Sequence, residues 1–186
     1  MPEDSPIYFY ETSDEFGCFA NFSPHPIRLK GKVWPTSEHY FQAQKFAGTP
    51  REEAIRRVKR PNIAFRMGND RRTARPAKGW EGKRDEVMRE ALHAKFTQHP
   101  ELRDCLLSTG DRKIVEHTDR DAYWGDGGNG TGKNRLGLLL MELRAQLRAE
   151  APQLRQKPTP HRSPGASAPD RNGQAARELR VRGATR

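Results

Sequence analysis

Glu38, Gln42 and Lys45 stand at i, i+4 and i+7 of the segment EHYFQAQKFA, so a helix there aligns a carboxylate, an amide and an ammonium along one stripe. Tyr40, Phe41, Ala43, Phe46 and Ala47 take up most of the remaining circumference, which predicts a helix buried nearly all round. A glutamate is rarely buried without a partner. Two readings follow. Either the polar stripe is a seam facing solvent, with Glu38 complementing the helix N-terminus, or the three groups point into a cleft. A carboxylate held in a cleft can activate water, attack directly or stabilise developing positive charge.

Other residues invite the same double reading. Trp80 ends the basic loop NDRRTARPAKGW, and Tyr123-Trp124 precedes the glycine-rich run GDGGNGTGKN. Aromatics at loop ends serve either as stacking platforms for bases or as core anchors. Asp119, Asp121 and Asp126 flank Trp124 and read equally well as turn formers and caps. Gly125 to Gly130 matches GxGxxG, but no hydrophobic strand leads into it and no acid follows at the required distance, so a dinucleotide fingerprint is rejected. Gly127 to Asn134 approaches a phosphate-binding loop, yet Asn134 stands where a magnesium-binding hydroxyl is needed. What survives is a glycine-rich loop feeding a helix N-terminus, whose N–H groups suit an anion. The histidines lack HxxxH or HExxH spacing and the two cysteines form no CxxC pair, so neither a metal site nor a cofactor is expected.

The elements that must position these groups are short. Ile7–Tyr10 predicts a strand, and PIRLKGKVW (26–34) predicts a hairpin turning at Lys30-Gly31. The helix at 37–47 is capped by Thr36 or Ser37 and stops at Gly48. Further helices are predicted over 51–60, over 62–67 with Gly68 as stop, over 81–98, from Pro100 to near Gly110, and over 135–148. Residues 113–116 predict one more strand. The fold class expected is α+β: a mostly helical single domain over 1–150 with a few short strands.

The chain carries a net charge of +10, but the charge is uneven. Residues 151–186 hold eight basic and two acidic residues, a net +6 that leaves only +4 on residues 1–150. That segment has no Ile, Phe, Tyr, Trp or Met and is rich in Pro, Ser, Gly, Gln and Arg, so a disordered basic tail is expected. A mildly basic domain needs no more than a small anionic ligand. Nucleic acid enters only through the tail or through the alternative activity named below. The N-terminus MPEDSPIYFY has no signal-peptide character and no run spans a bilayer, so a soluble cytoplasmic protein with no membrane partner is expected. Cys18 and Cys105 fit that reducing compartment.

Taken together, FGCFANFSPHPIRLKGKVWPTSEHYFQAQKF, the GW before a helix containing MREALHAKF, KIVEHT, and DAYWGDGGNGTGKNRLGLLLMELR resemble the NADAR family over residues 7–148. They look most like its YbiA-like N-glycosidase branch. The resemblance implies an α+β, mostly helical fold. It implies hydrolysis of the N–C1′ ribose bond in early riboflavin-pathway intermediates, which are aminopyrimidines carrying ribose 5-phosphate. Other branches are associated with ADP-ribose, including its removal from modified guanine, and a non-catalytic ADP-ribose module is the third alternative. By motif position, the functional residues implied are Glu38 of SEHYF, Trp80 ahead of the long helix, and Asp121 of DAYWG. Glu38 is assigned as the principal carboxylate, Asp121 as its partner on ribose hydroxyls or in proton transfer, and Trp80 as the platform for the pyrimidine. Lys45, Arg66, Arg71 and Arg72 are the candidate phosphate ligands. Asn21, Gln42, Trp124, Gly125, Asp126, Gly127 and Asn134 complete the candidate binding set.

Overall fold

The parallel pairing of two three-residue strands, β1 (Ile7–Phe9) and β4 (Ile114–Glu116), joins the ends of the fold, with Ile7 opposite Ile114 and Phe9 opposite Glu116. This computed structural model describes residues 5–155. A second two-stranded sheet is the predicted hairpin, β2 (Ile27–Leu29) and β3 (Lys32–Trp34), antiparallel. Its turn residues Lys30 and Gly31 both adopt positive φ, 51° and 73°, as a two-residue hairpin of this twist requires.

Six α-helices make up most of the described residues: α1 (Ser37–Gln44), α2 (Pro50–Arg57), α3 (Pro61–Asn69), α4 (Trp80–Gln98), α5 (Pro100–Ser108) and α6 (Arg135–Arg155). The fold is α+β and mostly helical. Pro50, Pro61 and Pro100 each occupy the first helical position, where the missing N–H costs nothing. Thr36 caps α1, its hydroxyl accepting the His39 N–H at 3.3 Å. The α6 helix runs to Arg155, past the expected end at Arg148. The tail expected from 151 therefore begins as helix, and the rest of that expectation lies outside the described residues.

Two apolar clusters share α4. One gathers β1, α4, α5 and α6 around Phe9, Phe19, Leu92, Phe96, Leu106 and Leu140. The other packs the hairpin against α1, α2 and α3 around Ile27, Trp34, Tyr40, Phe46, Ile55 and Ala91. All eight residues of α1 are buried, as its composition predicted. Cys18 and Cys105, far apart in sequence, are neighbours with Sγ atoms 3.7 Å apart. Burial, reinforced by Cys105, pushes the Cys18 thiol up to about 12. Among the described residues, no helix is long and apolar enough to cross a membrane.

Candidate active site

The polar stripe of α1 faces a cavity of about 760 Å³ rather than solvent. Glu38 lies at its floor, 4% exposed, in the first turn of α1, where the positive end of the helix dipole favours a carboxylate. Its backbone N–H donates to the Asn21 carbonyl at 3.1 Å, which ties the loop after β1 to the start of the helix. One turn on, the Gln42 amide donates to Glu38 Oε1 at 2.8 Å. Burial pushes the Glu38 carboxyl up to about 7, against the opposing pull of Gln42 and Lys45. Lys45, equally buried, donates to Asn69 Oδ1 at 2.8 Å and to the Gly68 carbonyl at 3.3 Å. Burial brings its ammonium down to about 8.

Helix α3 fixes this stripe through Gly68. Its position was read as a helix stop, yet α3 continues through it to Asn69. The absence of a side chain serves packing: a Cβ on Gly68 would meet Gln42 Oε1 at 1.9 Å. Lys95 fixes the opposite wall. Fully buried on α4, it donates to the Ala20 carbonyl at 2.9 Å and to Ser23 Oγ at 2.6 Å, bracketing Asn21. Burial lowers its ammonium to about 7.

The structure brings Asn21, Glu38, Gln42, Lys45, Arg66, Asp121 and Trp124 together around the cavity. Asp121 Oδ1 accepts the N–H groups of Tyr123 and Trp124 at 2.7 and 2.8 Å, so it also shapes the turn that presents Trp124. Tyr123 is anchored through its hydroxyl to Asp85 at 2.6 Å, and Asp85 in turn holds Arg135 of α6.

Other expected residues are placed elsewhere. Trp80 does not line the cavity. It is 7% exposed in the core, its ring 5.3 Å from that of Phe41, so it backs a wall residue instead of offering a face to a base. Arg71 and Arg72 are exposed outside the lining, and Arg72 pairs with Asp70.

The glycine-rich loop does not offer its N–H groups to an anion. Asp126, Gly127, Gly132, Lys133 and Asn134 donate to carbonyls of Glu116, Asp121, Asp126, Ala122 and Gly125 respectively. Asp126 spends its oxygens on His117 Nδ1 at 2.8 Å and on the N–H groups of Thr118 and Gly128. Asn134, at φ 48°, donates to the Ile114 carbonyl at 2.8 Å and accepts the Glu116 N–H at 3.0 Å. Gly125, Asp126, Gly127 and Asn134 therefore build the loop rather than the cavity lining.

The sequence reading missed Glu116 and Arg120, which line the cavity from the other side, and the exposed aromatic pair Phe22 and Phe65 at its mouth, 6.3 Å apart. Among the described residues, no group of three or more His, Cys, Asp or Glu side chains is arranged to hold a metal ion.

A mostly helical α+β domain with a buried carboxylate, amide and ammonium on one helix matches the NADAR domain model over residues 8–148, and the chain belongs to that family. It is 60% identical over 149 residues to the N-glycosidase YbiA of Escherichia coli (strain K12), covering 80% of this chain and 92% of that protein. It is 40% identical over 145 residues to an N-glycosidase of Nostoc punctiforme, covering 76% and 92%. A riboflavin biosynthesis protein of Vibrio vulnificus (strain YJ016) is 43% identical over 149 residues, which span 80% of this chain and 40% of that one. The NMR structure of E. coli YbiA superposes with a TM-score of 0.76 at 56% identity, covering 87% of this chain and 94% of that one. The chain is a hydrolase of N-glycosidic bonds.

Proposed function

We propose that this enzyme hydrolyses the N–C1′ ribose bond of early riboflavin-pathway intermediates, the phosphoribosylamino-pyrimidines, and releases ribose 5-phosphate. The observation that carries the reading is Glu38, buried at the floor of a nucleotide-sized cavity between Gln42 and Lys45. Breaking the bond builds oxocarbenium character at C1′, and a desolvated carboxylate stabilises that charge and takes a proton from the attacking water. Asp121 Oδ2 serves as acceptor for ribose hydroxyls while Oδ1 holds the turn. Lys45, Arg66 and Arg120 supply positive charge for the phosphate. Trp124 and the Phe22–Phe65 pair take over the base-stacking role first given to Trp80. A relative named as a riboflavin biosynthesis protein supports the substrate class. The reading places the enzyme in the cytoplasm, which fits its two free thiols.

The test is free ribose 5-phosphate released from the two earliest pathway intermediates, with Glu38→Gln as control. Release is expected from the wild type, with the variant slower by roughly 10²-fold or more. No release from folded wild type removes the riboflavin reading, and ADP-ribosylated guanine becomes the substrate to try.

A further inference from the structure

Three carboxyl groups face the cavity, and their surroundings differ. Glu38 accepts from Gln42 and faces Lys45. Asp121 accepts two backbone N–H bonds. Glu116, at the end of β4, has a buried Oε2 with no hydrogen-bond partner. Its backbone is clamped: the N–H donates to Asn134 Oδ1 at 3.0 Å, and the carbonyl accepts from Asp126 N at 2.9 Å. The side chain is therefore held by its strand and loop, while its oxygen is left to the cavity. The charged neighbours that act on it are acidic: Glu38 from α1, and Asp121 and Asp126 from the following loop. Lys45 is engaged with Asn69 and Gly68, and His117 with Asp126. Arg120 and, from the segment after β1, Glu11 also line the cavity.

We propose that Glu116 is the general acid of the reaction, donating its proton to the leaving nitrogen while Glu38 handles the water. The inference rests on the N-glycosidase reading of this cavity. A carboxyl in an apolar, anion-flanked site with no donor aimed at it keeps its proton, whereas one supplied with an amide donor and an ammonium neighbour gives it up. Burial and the three acidic neighbours push Glu116 up to about 8.

The step balances. The C1′–N bond breaks with its electron pair going to nitrogen, which takes the Glu116 proton. Water bonds to C1′ through oxygen and loses one proton to Glu38. Transfer of one proton from Glu38 to Glu116, directly or through solvent, restores both groups. Two separately placed carboxyls, one protonated and one not, are what hydrolysis of a glycosidic bond requires.

Two measurements on the full chain test this. In the first, side-chain carboxyl carbons are labelled with ¹³C and the Glu116 signal is assigned by its loss in Glu116→Gln. The carbon is expected to keep a protonated shift at neutral pH and to titrate near about 8. Titration in the ordinary glutamate range, near about 4.3, overturns the proposal. This arm needs no substrate, so it decides whether Glu116 holds a proton even if the riboflavin reading fails. In the second, turnover is followed across pH. Wild-type activity is expected to rise through about pH 7 as Glu38 ionises and to fall above about pH 8 as Glu116 does. Glu116→Gln should lose roughly 10²-fold or more in kcat with KM little changed, and its alkaline limb should vanish. A variant within about threefold of wild-type kcat, or one that keeps the alkaline limb, sinks the assignment.

Discussion

At neutral pH Glu38 sits beside its own midpoint, pushed up to about 7 by burial, and Glu116 lies above it at about 8. Both carboxyls are raised in the folded state, so each favours folding below its ordinary value. Each loses that contribution as pH rises through about 7 and about 8 respectively. Glu38→Gln and Glu116→Gln should therefore be no more stable than wild type near about pH 5, but increasingly more stable toward about pH 8. For Glu38 the gain is on the order of 3 kcal/mol. Thermal melts at several pH values measure it, and parallel curves for wild type and variants would show that neither carboxyl is held protonated by the fold. Activity and stability pull apart at these residues, as expected where a site is built from desolvated charge. The sequence made Glu38 visible through its i, i+4, i+7 partners on a helix otherwise apolar. Glu116 had no such signal. Three strand residues show no alternation, and the groups that clamp it, Asn134 and Asp126, come from a loop whose folding is non-local.

At the scale of elements, α1 and α3 hold each other at the distance set by Gly68 and Gln42. Gly68→Ala places a Cβ in contact with Gln42 Oε1 and should cost about 1–3 kcal/mol while lowering kcat, because Gln42 is the partner of Glu38. Gln42→Ala in the same background should recover much of the lost stability but not the turnover. If the double variant is no more stable than Gly68→Ala, the clash lies elsewhere. The misreading of Gly68 as a helix stop has a physical basis. A glycine near a helix end fits both a left-handed cap and a close approach between helices, and only the neighbouring helix decides. The hairpin turn and the Thr36 cap were legible because their signals are local. The anion site expected in the glycine-rich loop was not, because its N–H groups are consumed by carbonyls within residues 116–126. Trp80 was misplaced for the same reason, since the ring of Phe41 that it packs against lies on another helix.

For the molecule as a whole, the residues that line the cavity fall between Tyr10 and Trp124, and the family match ends at residue 148. A protein truncated after Arg155 should keep the melting temperature and the kcat/KM of the full chain. It should lose most of any salt-sensitive retention on nucleic acid, because residues 151–186 carry +6 of the net +10. A fall in kcat/KM on truncation would show that the basic segment takes part in substrate capture. The cavity itself is divided between two kinds of residue. Its floor, Glu38, Gln42 and Lys45, belongs to a helix buried on every side, whereas Phe22, Phe65, Arg66 and Arg120 around the opening are exposed. Those four residues are free to drift under selection without disturbing the core, so a lineage can exchange one ribosylated base for another while inheriting the bond-breaking apparatus unchanged.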